Sequence, residues 1–254
     1  MVDALILTQT VLTALTAIVY LYVGYHLARR RVEGPNRLAA ALFATWWIIL
    51  GGLQIMTLVG RLLSDSGVRD LAVHLTLAEI ELLALCIALW ALLYYLVFVL
   101  TGTRRAMMPL AIFYGAFYVW ILYLILSLHP MGVKDAPTGG VQLDFAEEAP
   151  GYATFAFIVL LLGPVLVGAI GYFRLYFRVQ GTTQRYRIGM IAVTLIAWFG
   201  SAAIASASGV SNAAWWRPAS TFLGLLAALA IYFAYRPPAF LRRRYGLESV
   251  NADA

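Results

Sequence analysis

Residues 71–100 read "LAVHLTLAEIELLALCIALWALLYYLVFVL", and this stretch decides the fold. Only His74, Thr76, Glu79 and Glu81 interrupt an otherwise apolar run. At 1.5 Å per residue, about 20 apolar residues cross the ~30 Å hydrocarbon layer of a bilayer, so this run is long enough to span it. Comparable runs recur along the chain. The 254 residues are 63% hydrophobic and only 12% charged, with a mean hydropathy of +0.84. Soluble domains carry about 25% charged residues, and water would not solvate a surface this poor in charge. The reading is an all-α polytopic membrane protein, a seven-transmembrane-helix bundle. Its spans are expected at about 4–28, 38–60, 72–100, 106–128, 151–174, 187–208 and 214–235. Residues 1–236 then form the seven-helix transmembrane domain and 237–254 a short basic cytoplasmic tail.

A net charge of +6 and a pI near 9.5 raise the prospect of a nucleic-acid partner, and the placement of the charges removes it. Arg29, Arg30, Arg31 and Arg37 fall between spans one and two, and Arg104 and Arg105 between three and four. Arg174, Arg178, Arg185 and Arg187 fall between five and six, and Arg236, Arg242, Arg243 and Arg244 follow span seven. The other side holds only Arg61, Arg69, Lys134 and Arg217, together with Asp3, Asp65, Asp70, Asp135, Asp144, Glu147 and Glu148. Basic loops stay in the cytoplasm, which puts the N-terminus outside and the C-terminus inside a multi-pass protein of the cell membrane. The arginine clusters are expected to lie against anionic lipid headgroups. A cytoplasmic or membrane signalling partner docked on the same surface is the sharper reading, and a second copy of the chain is a further candidate.

The opening "MVDALILTQTVLTALTAIVYLYVGYHLARRR" carries its positive charge after its apolar run, as a retained first helix does and a cleaved signal peptide does not. Cys86 is the sole cysteine, so neither an internal disulfide nor a cysteine metal cluster is expected. Most connections are short. The exception, "HPMGVKDAPTGGVQLDFAEEAPG" between spans four and five, sets Pro137, Gly139 and Gly140 between short alternating stretches. That pattern suggests a short β-hairpin in the outer loop, which either caps the bundle or gates a pocket. Gly163-Pro164 predicts a kink in span five, and the small residues of "FGSAAIASASG" predict close packing of span six. Trp46, Trp47, Trp215 and Trp216 suit interfacial belts. Trp90, Trp120 and Trp198 fall deeper, where they suit the lining of a cavity.

Charge at membrane depth is costly, about 2.5–3.5 kcal/mol per group at mid-bilayer on insertion scales, and so points to function. Glu79 and Glu81 qualify. Two residues apart on a helix is about 200° of rotation, so the two cannot share one cavity equally. His74 sits seven residues before Glu81, on the same face and about 10 Å further out. Arg61, at the outer end of span two, is placed to pair with either acid. Glu81, Glu79, His74 and Arg61 are therefore the ligand-binding candidates. Three readings compete: Glu81 pins helices together, lines an outward-facing ligand pocket, or belongs to a proton or ion pathway. The absence of a second mid-membrane acid on another helix weakens the last. Milder polar groups at depth are Gln9, Gln54, Ser201, Ser206, Ser208, Ser220 and Thr221.

Several chemistries are excluded. A retinal Schiff base needs a lysine inside the bundle, and the only lysine, Lys134, falls in the outer loop. Zinc chemistry needs at least three ligands around one ion, and the histidines are only His26, His74 and His129. No metal site and no cofactor are expected. Neither a phosphate-cradling glycine loop nor a Ser-His-Asp pattern is present, so no catalytic residues are assigned and the chain is not read as an enzyme.

Three stretches together resemble the seven-helix N-terminal sensor domain of bacterial and archaeal histidine kinases. They are "HLARRRVEGPNRLAAALFATWWIILGGL", "LWALLYYLVFVLTGTRRAMMPLAIFYG" with its Thr101-Gly102 pair, and "APGYATFAFIVLLLGPVLVGAIGYFRLYFRVQGTTQRYRIGMIAVTLIAWFGSAAI" with Pro150-Gly151 at its start. The resemblance implies a sensory module that receives a signal at or in the membrane. Kinase members continue into output domains, whereas only "RPPAFLRRRYGLESVNADA" follows span seven here. The expectation is thus a stand-alone sensor or receptor-like module, taking a small or lipophilic ligand near Glu81, His74 and Arg61 and signalling to a separate partner. The alternatives are a small-solute transporter or channel and, behind it, an intramembrane metal-dependent enzyme.

Overall fold

The computed structural model describes residues 2–29, 36–135, 141–147, 151–208 and 216–247. Arg30, Arg31, Pro137, Gly139, Gly140, Glu148 and Trp215 lie outside them, as do the side chains of Asp3, Ser206, Ser208 and Trp216. The helices are α1 (Val2–Arg29), α2 (Asn36–Asp65), α3 (Leu71–Thr101), α4 (Met107–Ser127), α5 (Gly151–Arg178), α6 (Thr182–Ser208), α7 (Trp216–Tyr235) and α8 (Ala239–Tyr245). Among the described residues six of them, α1 to α4, α6 and α7, are long and apolar enough to cross a membrane. This is a multi-pass helical membrane protein. The 28-residue α5 runs unbroken through Gly163. The segment read as a basic tail contains the short helix α8, whose Tyr245 ring stands 5.7 Å from that of Tyr186 on α6.

Local chemistry sets the best-defined helix ends. Asp70 adopts an extended conformation and accepts a hydrogen bond from the Ala72 amide at 2.8 Å, capping the start of α3. Gly102, with φ of 70°, ends it in the left-handed conformation and donates its amide to the Phe98 carbonyl at 2.7 Å. The α2 helix continues to Asp65, past its expected end at residue 60, and carries Arg61 as a helical residue.

Helix packing fixes a ring in the order α1, α2, α3, α5, α6, α7 and back to α1, with α4, among the described residues, packed mainly on α3. Residue pairings give the directions. Gly24 and Gly51 meet Ile48 and Leu21, so α1 and α2 are antiparallel. Gly168 and Gly171 meet Leu96 and Leu100, so α3 and α5 are parallel. Ser201 and Ser220 exchange hydrogen bonds of 2.8 and 2.9 Å while Tyr186 reaches the Phe233 carbonyl, which makes α6 and α7 antiparallel. The close approach expected of the small residues on α6 is thereby made to α7.

Burial is concentrated at one end. The core residues of α2 run from Ala39 to Leu50 and those of α3 from Leu82 to Phe98. This is the end where α1 finishes at Arg29 and the Arg104–Arg105 turn lies, and it is called here the arginine-rich end. Trp46 and Trp47 are both fully buried in it, not placed in an interfacial belt. The physical reason is that α2 packs between α1 and α3 and meets α6 as well. Trp47 meets Tyr20 of α1 edge-on at 5.1 Å, while Trp46 meets Trp198 of α6 at 5.6 Å and Phe43 stacks on Tyr95 of α3 at 4.4 Å. Hydropathy places a tryptophan along a span but does not say which neighbours surround it.

At the opposite end the connection after α4 forms strands β1 (Pro130–Asp135) and β2 (Val141–Phe145). His129, at φ of 49°, turns the chain out of α4. The strands pair antiparallel, with Val133 opposite Leu143 and Lys134 opposite Gln142, and a register shift between Pro130 and Gly132. The expected β-hairpin is therefore present in its strands. Arg69, in the α2–α3 turn, holds β1 through Asp135 at 2.7 Å, and Lys134 pairs with Asp144 at 2.7 Å.

Candidate functional site

Beneath the hairpin the bundle is hollow. A cavity of about 640 Å³ opens there, walled by α1, α2, α3 and α7 and roofed by β1 and β2. Small-molecule sites commonly occupy about 300–1,000 Å³. Three of the four candidates from the sequence line it: Arg61, His74 and Glu81. Glu79 does not, as the 200° rotation between positions 79 and 81 requires.

Helix periodicity builds the polar wall. Gln9 and Thr13 stand one turn apart on α1, Thr57 and Arg61 one turn apart on α2, and His74, Ala78 and Glu81 follow one stripe of α3. Arg217 joins from the first turn of α7, with Lys134 and Gln142 from the roof. Thr13, Thr57 and Gln142 were not singled out from sequence. The signal available was the spacing of four between Gln9 and Thr13 and between Thr57 and Arg61.

Depth follows from the helix rise. A Cβ on Gly60 would lie 4.0 Å from Leu77 Cδ1, which sets α2 and α3 level at that point. Glu81 is then about 6 Å further into the bundle, and Arg61 about 1.5 Å toward the roof. Helical side chains lean toward their own N-termini, so in this antiparallel pair Glu81 leans toward the roof and Arg61 away from it. They lean toward each other without pairing: among the described residues the ion pairs are Arg69–Asp135 and Lys134–Asp144 only. The expected pairing of Arg61 with an acid is not found. Arg217, likewise, is in no ion pair among the described residues.

The other polar groups are partly spoken for. His74 is buried, and its Nε2 lies 3.0 Å from the Val68 carbonyl, which ties the ring to the α2–α3 turn. Gln9 donates through Nε2 to Thr13 Oγ1 at 3.2 Å and to Thr221 Oγ1 at 3.0 Å, linking α1 to α7, while its buried Oε1 has no partner among the described residues. Trp90, Trp120 and Trp198, expected to suit a cavity lining, are absent from this one; Trp198 packs in the aromatic core instead. Lys134 lies on β1, with its ammonium held by Asp144. Among the described residues no three His, Cys, Asp or Glu side chains gather closely enough to hold a metal ion. The cavity can offer donors near its roof and a carboxylate deeper in, which is chemistry for holding a ligand.

No protein-family model matches this chain, and no curated protein matches it significantly. Function has to be argued from the cavity itself.

Proposed function

We propose that this protein is a seven-helix membrane sensor that takes a small or lipophilic ligand into the cavity under its hairpin. It passes the resulting change to a signalling partner at its arginine-rich end. On this reading α5 is the seventh span, the hairpin faces the outside, and Arg29, Arg104, Arg105, Arg185, Arg187, Arg242, Arg243 and Arg244 face the cytoplasm and its anionic lipids. One observation carries it: Arg61, His74 and Glu81 converge on a cavity at one end of a bundle whose other end holds a buried cluster of aromatic side chains. A conduit needs a polar path through both halves, whereas the described core between Leu82 and Phe98 of α3 is built mainly of apolar and aromatic side chains, with isolated hydroxyl and indole N–H groups among them. A bound molecule can act on the far end only by favouring one helix arrangement over another. The α3 helix, with Glu81 near one end and the Tyr95–Tyr172 hydrogen bond of 2.9 Å near the other, is the element that joins the two.

Native mass spectrometry on protein gently extracted from its own membranes tests the proposal. A stoichiometric bound species that disappears on Glu81→Gln supports it. A species retained in full by Glu81→Gln and Arg61→Gln, or bound metal in its place, refutes it.

A further inference from the structure

The cavity is segregated by charge along its depth. Arg61 and Arg217 stand toward the roof with no acid partner among the described residues, and Glu81 stands about a turn deeper with no base. Unpaired charges in a membrane protein are costly, and each of these would be satisfied by an occupant of opposite sign. Resting on the sensor reading above, we propose that the cavity binds a small, water-soluble zwitterion carrying a primary ammonium group and a carboxylate. The ammonium points inward to Glu81 and the carboxylate outward to Arg61 and Arg217.

Three features fix the class. First, the carboxylate end meets guanidinium groups, which bind carboxylates through paired hydrogen bonds. Second, the inner end offers oxygen acceptors, the Glu81 carboxylate together with the hydroxyl of Thr57, and among the described residues Phe145, on the roof, is the only Phe, Tyr or Trp in the lining. A quaternary ammonium is held by an aromatic cage, so a group with N–H donors fits better. Third, the polarity is opposite to that of a zwitterionic phospholipid. A headgroup puts its phosphate nearer the hydrocarbon and its ammonium nearer water, whereas here the anion-binding arginines lie toward the roof. A solute arriving from the aqueous side matches this arrangement.

The axial offset between Arg61 and Glu81, about 7.5 Å from helix rise, is narrowed by side chains that lean together. It accommodates a few carbons between the charged groups. The test uses the full chain in detergent micelles and isothermal titration with glycine, γ-aminobutyrate and ε-aminocaproate, against butyrate, butylamine and glycine betaine. At least one amino acid should bind about tenfold or more tightly than every control, since butyrate and butylamine each lack one charged group and glycine betaine lacks the N–H donors, and each loss forgoes about that factor. Glu81→Gln should remove that preference while butyrate binds at least as tightly as before, since a like charge has been removed, which also shows that the variant is folded. Arg61→Gln should weaken the amino acid and butyrate together.

Butyrate binding as tightly as the amino acids, glycine betaine equalling them, or no amino acid binding at all would overturn the zwitterion. A different species that disappears on Glu81→Gln in native mass spectrometry, including a co-purified lipid, would overturn the ligand class and leave the sensor cavity standing. With no species bound in either experiment, both fall.

Discussion

Gly24 is the glycine where an added Cβ would come nearest to the backbone of a neighbouring helix. A Cβ there would lie 2.6 Å from Ile48 Cγ1, 3.0 Å from the Ile48 amide nitrogen and 3.2 Å from the Ala44 carbonyl oxygen. Ordinary contacts are about 3.5–4.0 Å. Ile48 is well exposed, so its side chain can turn away, but two of the three atoms are backbone of α2 and move only if α1 and α2 part. Overpacking of this kind costs about 1–3 kcal/mol, partly offset in Gly24→Ala by up to about 1 kcal/mol of helix propensity. Gly52 is the control, one helix over, where an added Cβ meets nothing within 4 Å and Gly52→Ala receives the propensity gain alone. Cys86, buried and the only cysteine, supplies the assay: a thiol-reactive dye reports its exposure as detergent-solubilised protein is heated. Gly24→Ala should lower the midpoint by a few degrees, at roughly 2–4 °C per kcal/mol for a chain of this size. Gly24→Leu should lower it further, and Gly52→Ala should hold or raise it. A Gly24→Ala midpoint at or above that of Gly52→Ala would refute the close α1–α2 approach.

Other substitutions probe separate parts of the fold. Trp46→Ala should cost about 3–5 kcal/mol in the same assay, because the ring is fully buried among Phe43, Trp47 and Trp198; a loss below about 1 kcal/mol would return Trp46 to the lipid interface. Tyr172→Phe removes the donor to Tyr95 and should cost about 0.6–1.7 kcal/mol, the measured scale for hydrogen bonds between membrane helices. Asp135→Asn breaks an exposed pair with Arg69 and should change the stability by less than about 1 kcal/mol, with the difference vanishing in high salt. A large, salt-independent destabilisation would mean that the hairpin is a structural cap.

The elements with long apolar runs were legible in the sequence because span length is imposed by the bilayer itself. The hairpin strands were legible because Pro137, Gly139 and Gly140 separate two alternating stretches. His74 and Glu81 were legible as neighbours because helix periodicity fixes which side chains of one helix share a face, and Arg61 because the short α2–α3 turn returns the chain beside the outer end of α2. What helix periodicity does not supply is the identity of the neighbouring helices. For that reason Trp46 and Trp47 were placed at the interface, and Arg217 was read as a loop charge when it lines the cavity. Ring order brings α7 beside α1, and nothing in a local pattern encodes it. The α8 helix was missed because seven residues are too few for a period to show, although Pro238 before it and Gly246 after it, the latter at φ of 62°, mark its ends.

The measurement that bears most directly on the central claim is thiol labelling from each side of the membrane in oriented vesicles, on a Cys86→Ala background. Thr57→Cys and Ala78→Cys report the cavity, and Ala228→Cys reports the packed end. A cavity open at the hairpin end and sealed toward the arginine-rich end should let an impermeant reagent reach the first two from the hairpin side only. Ala228→Cys should resist it from both. Labelling of Thr57→Cys or Ala78→Cys from the arginine-rich side would mean that a path crosses the bundle, and the protein would be a conduit in place of a sensor.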